Sequence, residues 1–133
     1  MNAGKVFRIG LDGKVTIVAD VASRPFGLGF LPDGDLLVAS TTQRLILKFG
    51  AETPAVHADM AAFASGYLRD LAVARDGSAY VTSFDAHASG SDCLASARIL
   101  LAMADGNIRS VADNIAHPNG LAIPTVSRRP ASR

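Results

Sequence analysis

The sequence predicts an all-β fold, a partial β-propeller of about three blades built from four-stranded antiparallel sheets. Two observations support this prediction. A three-residue phrase recurs after apolar runs, and Asp-Gly pairs separate stretches of strand-like composition. A repeat of roughly 40–50 residues made of short apolar runs is typical of propeller blades. A chain of 133 residues holds fewer than three blades of about 45 residues, whereas propellers close with about 4–8.

The repeated phrase places Ala-Asp after an apolar run, with Val or His as its first residue. Its three copies are Val18-Ala19-Asp20, His57-Ala58-Asp59 and Val111-Ala112-Asp113. Because each Asp follows an apolar strand, we interpret the three carboxylates as turn formers rather than metal ligands. His57 stands where the sister copies have Val, which predicts a partly buried strand histidine.

Four Asp-Gly pairs predict hairpins with type I′ turns, which need a positive φ at both central residues. The pairs are Asp12-Gly13, Asp33-Gly34, Asp76-Gly77 and Asp105-Gly106. The runs around the second pair, 28–31 and 36–39, are mostly continuous in hydrophobicity rather than alternating. Continuous apolar strands are typical of sheets that are buried on both faces between neighbouring blades.

The other segments define the expected limits of the domain. Residues 60–64 favour a single helical turn, and the Ala-, Ser- and Gly-rich stretch 85–96 predicts an inserted loop. We expect the propeller domain to span residues 5–123 and residues 124–133 to form an aberrant, disordered tail. A shifted reading frame would turn the expected Pro-Asp-Gly into the observed Pro-Thr-Val, so our hypothesis is a frameshifted or artificial terminus.

Composition limits the classes of partner and the compartment. A formal net charge of +1 gives no electrostatic indication of nucleic-acid or membrane binding, and no apolar run approaches the length of a membrane span. Hydrophobic content of 49% with 19% charged residues predicts a folded, soluble chain. The single cysteine, Cys93, excludes an intrachain disulfide and favours a cytoplasmic location.

Three segments resemble the gluconolactonase and senescence-marker-protein (regucalcin) family. Residues 24–38 are similar to its early blades, 70–81 to the next blade, and 117–123 to its Pro-Asn-Gly-Leu-Ala segment. The resemblance extends over nearly all of residues 6–123. It implies part of a six-bladed propeller that holds one divalent cation near its central channel and hydrolyses sugar lactones or related esters.

The resemblance implies site residues at three positions. Asn119 matches the family's ligand Asn, and the family's substrate-positioning Asn-Asp pair falls on Arg69-Asp70, with Arg in place of Asn. The implied cation is calcium, with zinc, magnesium and manganese as alternatives. The family's remaining ligands, a Glu and the Asp that serves as base, have no counterpart here, so no catalytic residue is assigned.

Each candidate also has a structural interpretation. Asn119 precedes a glycine and suits a turn, and Asp70 suits a bond to neighbouring backbone amides at a strand end. Arg69 either points into the channel, where a guanidinium suits a carboxylate or phosphate, or is a solvated surface residue.

Two functions follow from these observations. The first is a fragment of a metal-dependent hydrolase with a small lactone or ester substrate, inactive as the isolated chain. The alternative is a non-catalytic propeller segment that acts as a binding or scaffold module and self-associates through open blade edges. Neither function involves nucleic acid or a membrane.

Overall fold

The computed structural model describes residues 4–50, 54–64, 66–84, 96–116 and 118–124. Within these ranges the chain is all β, as the sequence predicts. The strands, in chain order, are β1 (Gly4–Ile9), β2 (Val15–Val21), β3 (Pro25–Phe30), β4 (Leu36–Ser40), β5 (Leu45–Phe49), β6 (Ala55–Asp59), β7 (Leu68–Val73), β8 (Ala79–Phe84), β9 (Ala97–Ala102) and β10 (Ile108–Ile115).

The strands form three separate sheets, and within each sheet consecutive strands pair in antiparallel fashion. β3 to β6 form one four-stranded sheet, β7 to β10 form the second, and β1 and β2 form a two-stranded sheet. The first strands of the two larger sheets, β3 and β7, lie against each other. Each four-stranded meander is one blade whose first strand is innermost, so the predicted partial propeller with four-stranded antiparallel blades is confirmed.

The hydrophobic core lies between the sheets. One cluster fills the space between the two four-stranded blades and includes the fully buried Leu37, Ile46 and Leu100. A second cluster, with Leu36 and Val38 among its members, packs β4 against the two-stranded sheet. Successive residues of β4 therefore belong to different clusters, and all five of its residues are buried. This double burial explains why its sequence is continuously apolar.

The four Asp-Gly pairs form hairpin turns, but the type I′ prediction is wrong. Positive φ values occur at the glycines, from 85° at Gly13 to 98° at Gly34, and at none of the four Asp residues. In each turn the glycine amide donates to the carbonyl three residues earlier. This is a type I turn followed by a left-handed glycine. The Asp carboxylate accepts the amide two residues later, at 2.9–3.0 Å, which favours this turn.

The repeated phrase forms a β-bulge in the outermost strand of all three sheets. Val18, His57 and Val111 are the extra residues, because their neighbours pair with consecutive residues of the adjacent strand. The prediction of turn formers is therefore wrong for Asp20 and Asp113, which lie inside β2 and β10. A bulge takes an extra residue without ending the strand and increases its local twist.

Other expectations have mixed outcomes. Residues 60–64 form the predicted single turn, in which the Ala64 amide donates to the Met60 carbonyl at 2.8 Å, and His57 is a half-buried strand residue. Most of the predicted loop 85–96, with Cys93, and residues 125–133 of the predicted tail lie outside the described residues. The part of the chain that is described contains no helix able to cross a membrane, and the cytoplasmic location remains a prediction.

Candidate functional site

The candidate site lies where the innermost strands β3 and β7 begin. These strands run side by side in the same direction, because Gly27 abuts Arg69 and Leu71 while Gly29 abuts Val73. The Asp-Gly turns follow β1, β3, β7 and β9, so they lie at the opposite end of the sheets. The starts of β3 and β7 therefore lie at the same end of the sheets as the β2–β3, β4–β5 and β6–β7 connections.

A bulge interrupts both innermost strands at the same place. In β3 the register shifts between Pro25 and Leu28, and in β7 it shifts between Leu68 and Leu71. The two residues inside each interval, 26–27 and 69–70, are thus free of regular ladder pairing. Bulges of this kind redirect side chains and are common beside active sites.

The buried hydroxyl of Thr82 supports the bulge in β7. The Asp70 amide donates to Thr82 Oγ1 at 2.9 Å, which satisfies a backbone donor that the displaced ladder leaves unpaired. Thr82 is fully buried on β8. The β3 bulge has Ala39 opposite it, which offers no hydroxyl. This bulge contains Gly27, where a Cβ would meet the Arg69 carbonyl oxygen at 2.5 Å.

The Arg69 guanidinium lies close to two aromatic rings. Its guanidinium carbon is 4.4 Å from the centroid of the Phe26 ring and 5.1 Å from that of Phe84. Both distances fall within the range of about 6 Å for cation–π attraction. The side chain is half-buried, so the alternative of a fully solvated surface arginine is not what the structure shows.

Asp70 connects β7 to the segment that contains Asn119. The Gly120 amide donates to Asp70 Oδ2 at 3.0 Å, and Gly120 adopts a left-handed conformation with φ of 101°. The Asn119 side chain is exposed. The three residues that the sequence singled out are therefore brought together, two on β7 and the third held beside it. Their roles in substrate and metal binding remain predictions.

Sequence reasoning missed the aromatic partners of Arg69. Phe26 occupies the position in β3 that Arg69 occupies in β7. This correspondence between the repeats could have predicted that the two side chains lie near each other. Phe84 ends β8, and no spacing in the sequence relates it to Arg69.

An open cleft of about 790 Å³ lies at the same end of the blades. It is lined by Ala22, Ser23, Arg24, Thr41, Thr42, Gln43 and Tyr67, which come from the three connections named above. Ser23 and Thr42 share a hydrogen bond of 2.5 Å between their hydroxyl oxygens. Thr41 Oγ1 is buried and has no hydrogen-bond partner among the described residues. The cleft thus offers hydroxyl, amide and guanidinium groups to a polar ligand.

The described residues do not by themselves fit a divalent cation. They contain no group of three or more His, Cys, Asp or Glu side chains placed to hold a metal ion. Asn119 offers one neutral oxygen, and the nearby Asp70 carboxylate already accepts the Gly120 amide. Divalent calcium takes about 6–8 oxygen ligands, so further ligands are required.

Two side chains with shifted pKa values lie away from this site. Burial lowers the pKa of His57, and the positive charge of Lys48 lowers it further. Hydrogen bonds from the backbone amide and hydroxyl of Ser78 lower the pKa of Asp76, which lies in a turn at the opposite end of the blades. Neither shift bears on the chemistry of the candidate site.

Comparisons with known proteins agree with this architecture. A solved structure of a luciferin-regenerating enzyme superposes with a TM-score of 0.62 at 14% identity, over 84% of this chain and 36% of that one. The chain thus spans about a third of the length of that enzyme. No curated protein sequence matches it. The model of the SMP-30/gluconolactonase/LRE-like region matches residues 1–128. The chain therefore belongs to the SMP-30/gluconolactonase/LRE-like family.

Proposed function

We propose that this chain supplies part of the substrate site of a lactonase-type propeller hydrolase that acts on sugar lactones or related esters. Membership of the family supports the reaction class. The observation that carries the proposal is the hydrogen bond from Gly120 to Asp70, which holds Asn119 beside the start of β7. Arg69, Asp70 and Asn119 thereby lie together at one end of the blades, the end that also holds the open cleft with its polar lining.

The cofactor that we propose for the complete ring is a divalent cation, calcium first, with zinc, magnesium or manganese as alternatives. Asn119 would contribute one amide oxygen to it. Such a cation polarises an ester carbonyl. Carboxylate ligands must then come from blades beyond the described residues, and we expect the isolated 133-residue chain to be inactive on lactones.

The test compares the isolated chain with a product in which the ring is complete. Hydrolysis of a panel of neutral aldonolactones and aryl esters is followed by acid release with calcium present. We expect turnover only from the complete ring, and a loss of about a hundredfold or more in Asn119→Ala, because ligand loss disrupts a metal site.

Asn107→Ala is the matched control, since Asn107 lies in an Asp-Gly turn at the opposite end of the blades. Full activity in Asn119→Ala, or equal loss in both variants, contradicts the proposal. Turnover by the isolated chain contradicts the expectation of inactivity.

A second candidate is a non-catalytic binding or scaffold segment that self-associates. The observation in its favour is an apolar surface on the two-stranded sheet and β3, where Ile9, Val15, Ile17 and Phe30 are more than half exposed. Burial of such a surface is favourable by roughly 25 cal/mol per Å². Sedimentation velocity distinguishes the two cases: a discrete dimer supports the scaffold, and a monomer that shows no association argues against it.

A further inference from the structure

The guanidinium of Arg69 has aromatic neighbours but no acidic or carbonyl partner within the described part of the chain. Two other arginines there donate to the backbone: Arg44 Nη1 to the Ala64 carbonyl at 3.4 Å, and Arg98 Nη1 to the Phe63 carbonyl at 3.5 Å. The ion pair found among the described residues joins Lys5 and Asp20. Arg69 is thus a half-buried cation whose N–H groups have no hydrogen-bond acceptor among the described residues.

Cation–π contacts with two rings hold this guanidinium in position. A ring that covers the flat face of a guanidinium leaves the N–H donors in its plane free to bind a ligand. Phe26 and Phe84 hold the Arg69 side chain from two elements, β3 and β8. A fork that is already positioned loses little side-chain entropy on binding, and it matches a carboxylate or a phosphate in bidentate geometry.

Asp70, the acidic residue next to Arg69 in sequence, forms no ion pair with it in the part of the chain that is described. Asp70 follows Arg69 in the β7 bulge, and its Oδ2 accepts the Gly120 amide. In the family pattern that this chain resembles, a neutral Asn that helps to position the substrate stands where this chain has Arg69. The exchange of Asn for Arg adds a positive charge at the end of the blades where the cleft lined by Arg24 also lies.

We infer that Arg69 determines substrate specificity by binding an anionic group, a carboxylate or a phosphate, that the lactone or ester carries beside its reacting bond. This inference rests on the proposed function for the reaction. The binding of the anion depends on residues of this chain alone. A neutral sugar lactone leaves the guanidinium without a partner, whereas a sugar-acid lactone or a phosphorylated sugar satisfies it.

Binding to the 133-residue chain tests the inference without a need for turnover. Three probes are titrated in separate NMR experiments: the monolactone of glucaric acid with a free carboxylate, glucose phosphate, and neutral galactonolactone. We expect at least one anionic probe to bind about tenfold more tightly than the neutral lactone, as a charge-assisted hydrogen bond requires. The Arg69 Nε–Hε signal is expected to shift on binding. Preference between the two anions distinguishes carboxylate from phosphate recognition.

Two substitutions at Arg69 and one elsewhere give the controls. Arg69→Asn restores the family residue and is expected to abolish the preference for anions. Arg69→Lys keeps the charge without the fork and is expected to weaken binding of the carboxylate probe more than that of the phosphate. Arg75→Asn, at an exposed arginine beside Gly77 in the opposite turn, is expected to leave all affinities unchanged.

Three results would each overturn the inference: equal affinities for charged and neutral probes, no detectable binding of any probe, or a preference for anions that survives Arg69→Asn. A failure of the hydrolysis assay with the complete ring overturns the proposed reaction instead. In that case the anion preference of the isolated chain is still measured, so the two failures are distinguishable.

Discussion

Gly27→Ala is expected to lower the free energy of unfolding by about 3 kcal/mol, because it forces the innermost strands β3 and β7 apart. A Cβ at Gly27 would lie 2.5 Å from the Arg69 carbonyl oxygen and from the Leu71 amide nitrogen, and 2.6 Å from Leu71 Cβ. Favourable carbon contacts are about 3.5–4.0 Å, so the strands must separate by roughly 1 Å. No side-chain rotation relieves these contacts, which places the cost at the upper end of about 1–3 kcal/mol for overpacking.

Urea unfolding of the 133-residue chain, followed by far-ultraviolet circular dichroism, measures this loss. With an m-value of about 2 kcal/mol/M, the midpoint is expected to fall by about 1.5 M. A loss below about 1 kcal/mol at an unchanged m-value would refute the close approach of the two strands.

Gly34→Ala serves as the control because it tests a different property of glycine. Gly34 has φ of 98° and no atom within 4 Å of its Cβ position. Its replacement is expected to cost about 1–2 kcal/mol through left-handed backbone strain alone. Separation of β3 from β7 also moves Phe26 relative to Arg69, so only Gly27→Ala is expected to shift the Arg69 Nε–Hε signal.

Three further predictions concern the core, a histidine and the link to Asn119. Leu100→Ala, at a fully buried position between the blades, is expected to cost about 2–5 kcal/mol in the same urea assay; a loss under about 1 kcal/mol contradicts close packing. The lowered pKa of His57 means that the folded chain binds fewer protons than the unfolded chain, whose histidine pKa is 6.5. The contribution of His57 to the free energy of unfolding is therefore complete well above pH 6.5 and is lost as the pH falls through that value. His57→Val is expected to flatten this dependence. An equal slope of unfolding free energy against pH in both chains refutes the assignment to His57. Asp70→Ala is expected to speed amide exchange at Gly120 about fivefold by NMR, while Asp70→Asn retains an oxygen acceptor and most of the protection. Unchanged exchange in Asp70→Ala shows that the hydrogen bond does not protect Gly120.

The architecture was predictable because short-range signals repeat along the chain. The Asp-Gly pairs marked the hairpins, and the apolar run of β4 indicated burial on both faces. The turn type was not predictable from the pair alone. Asp accepts the amide two residues later and keeps a negative φ, so the three-residue loop with a left-handed glycine forms in place of the two-residue loop.

The site was predictable in position but not in its contacts. The family pattern directed attention to Arg69, Asp70 and Asn119, and the structure brings all three to one end of the blades. The contact of Arg69 with Phe26 depends on the packing of one blade on another, and its contact with Phe84 on the pairing of β7 with β8. Local patterns carry no information on such distances. The repeated Asp20 was misassigned for a similar reason, since an apolar run can lead into a bulge within the strand as well as into a turn at its end.

The bulges at the start of the innermost strands allow the side chains of the site to change without a change in the fold. Equivalent positions hold an aromatic ring at Phe26, a cation at Arg69 and, by correspondence of sequence, an amide at Asn119. Phe26 and Arg69 make no ladder pair, so exchange of their side chains leaves the hydrogen bonding of each blade intact. A propeller of this kind can therefore diversify one blade at a time, gaining a new ligand preference by a single substitution without compensating changes in its sheets.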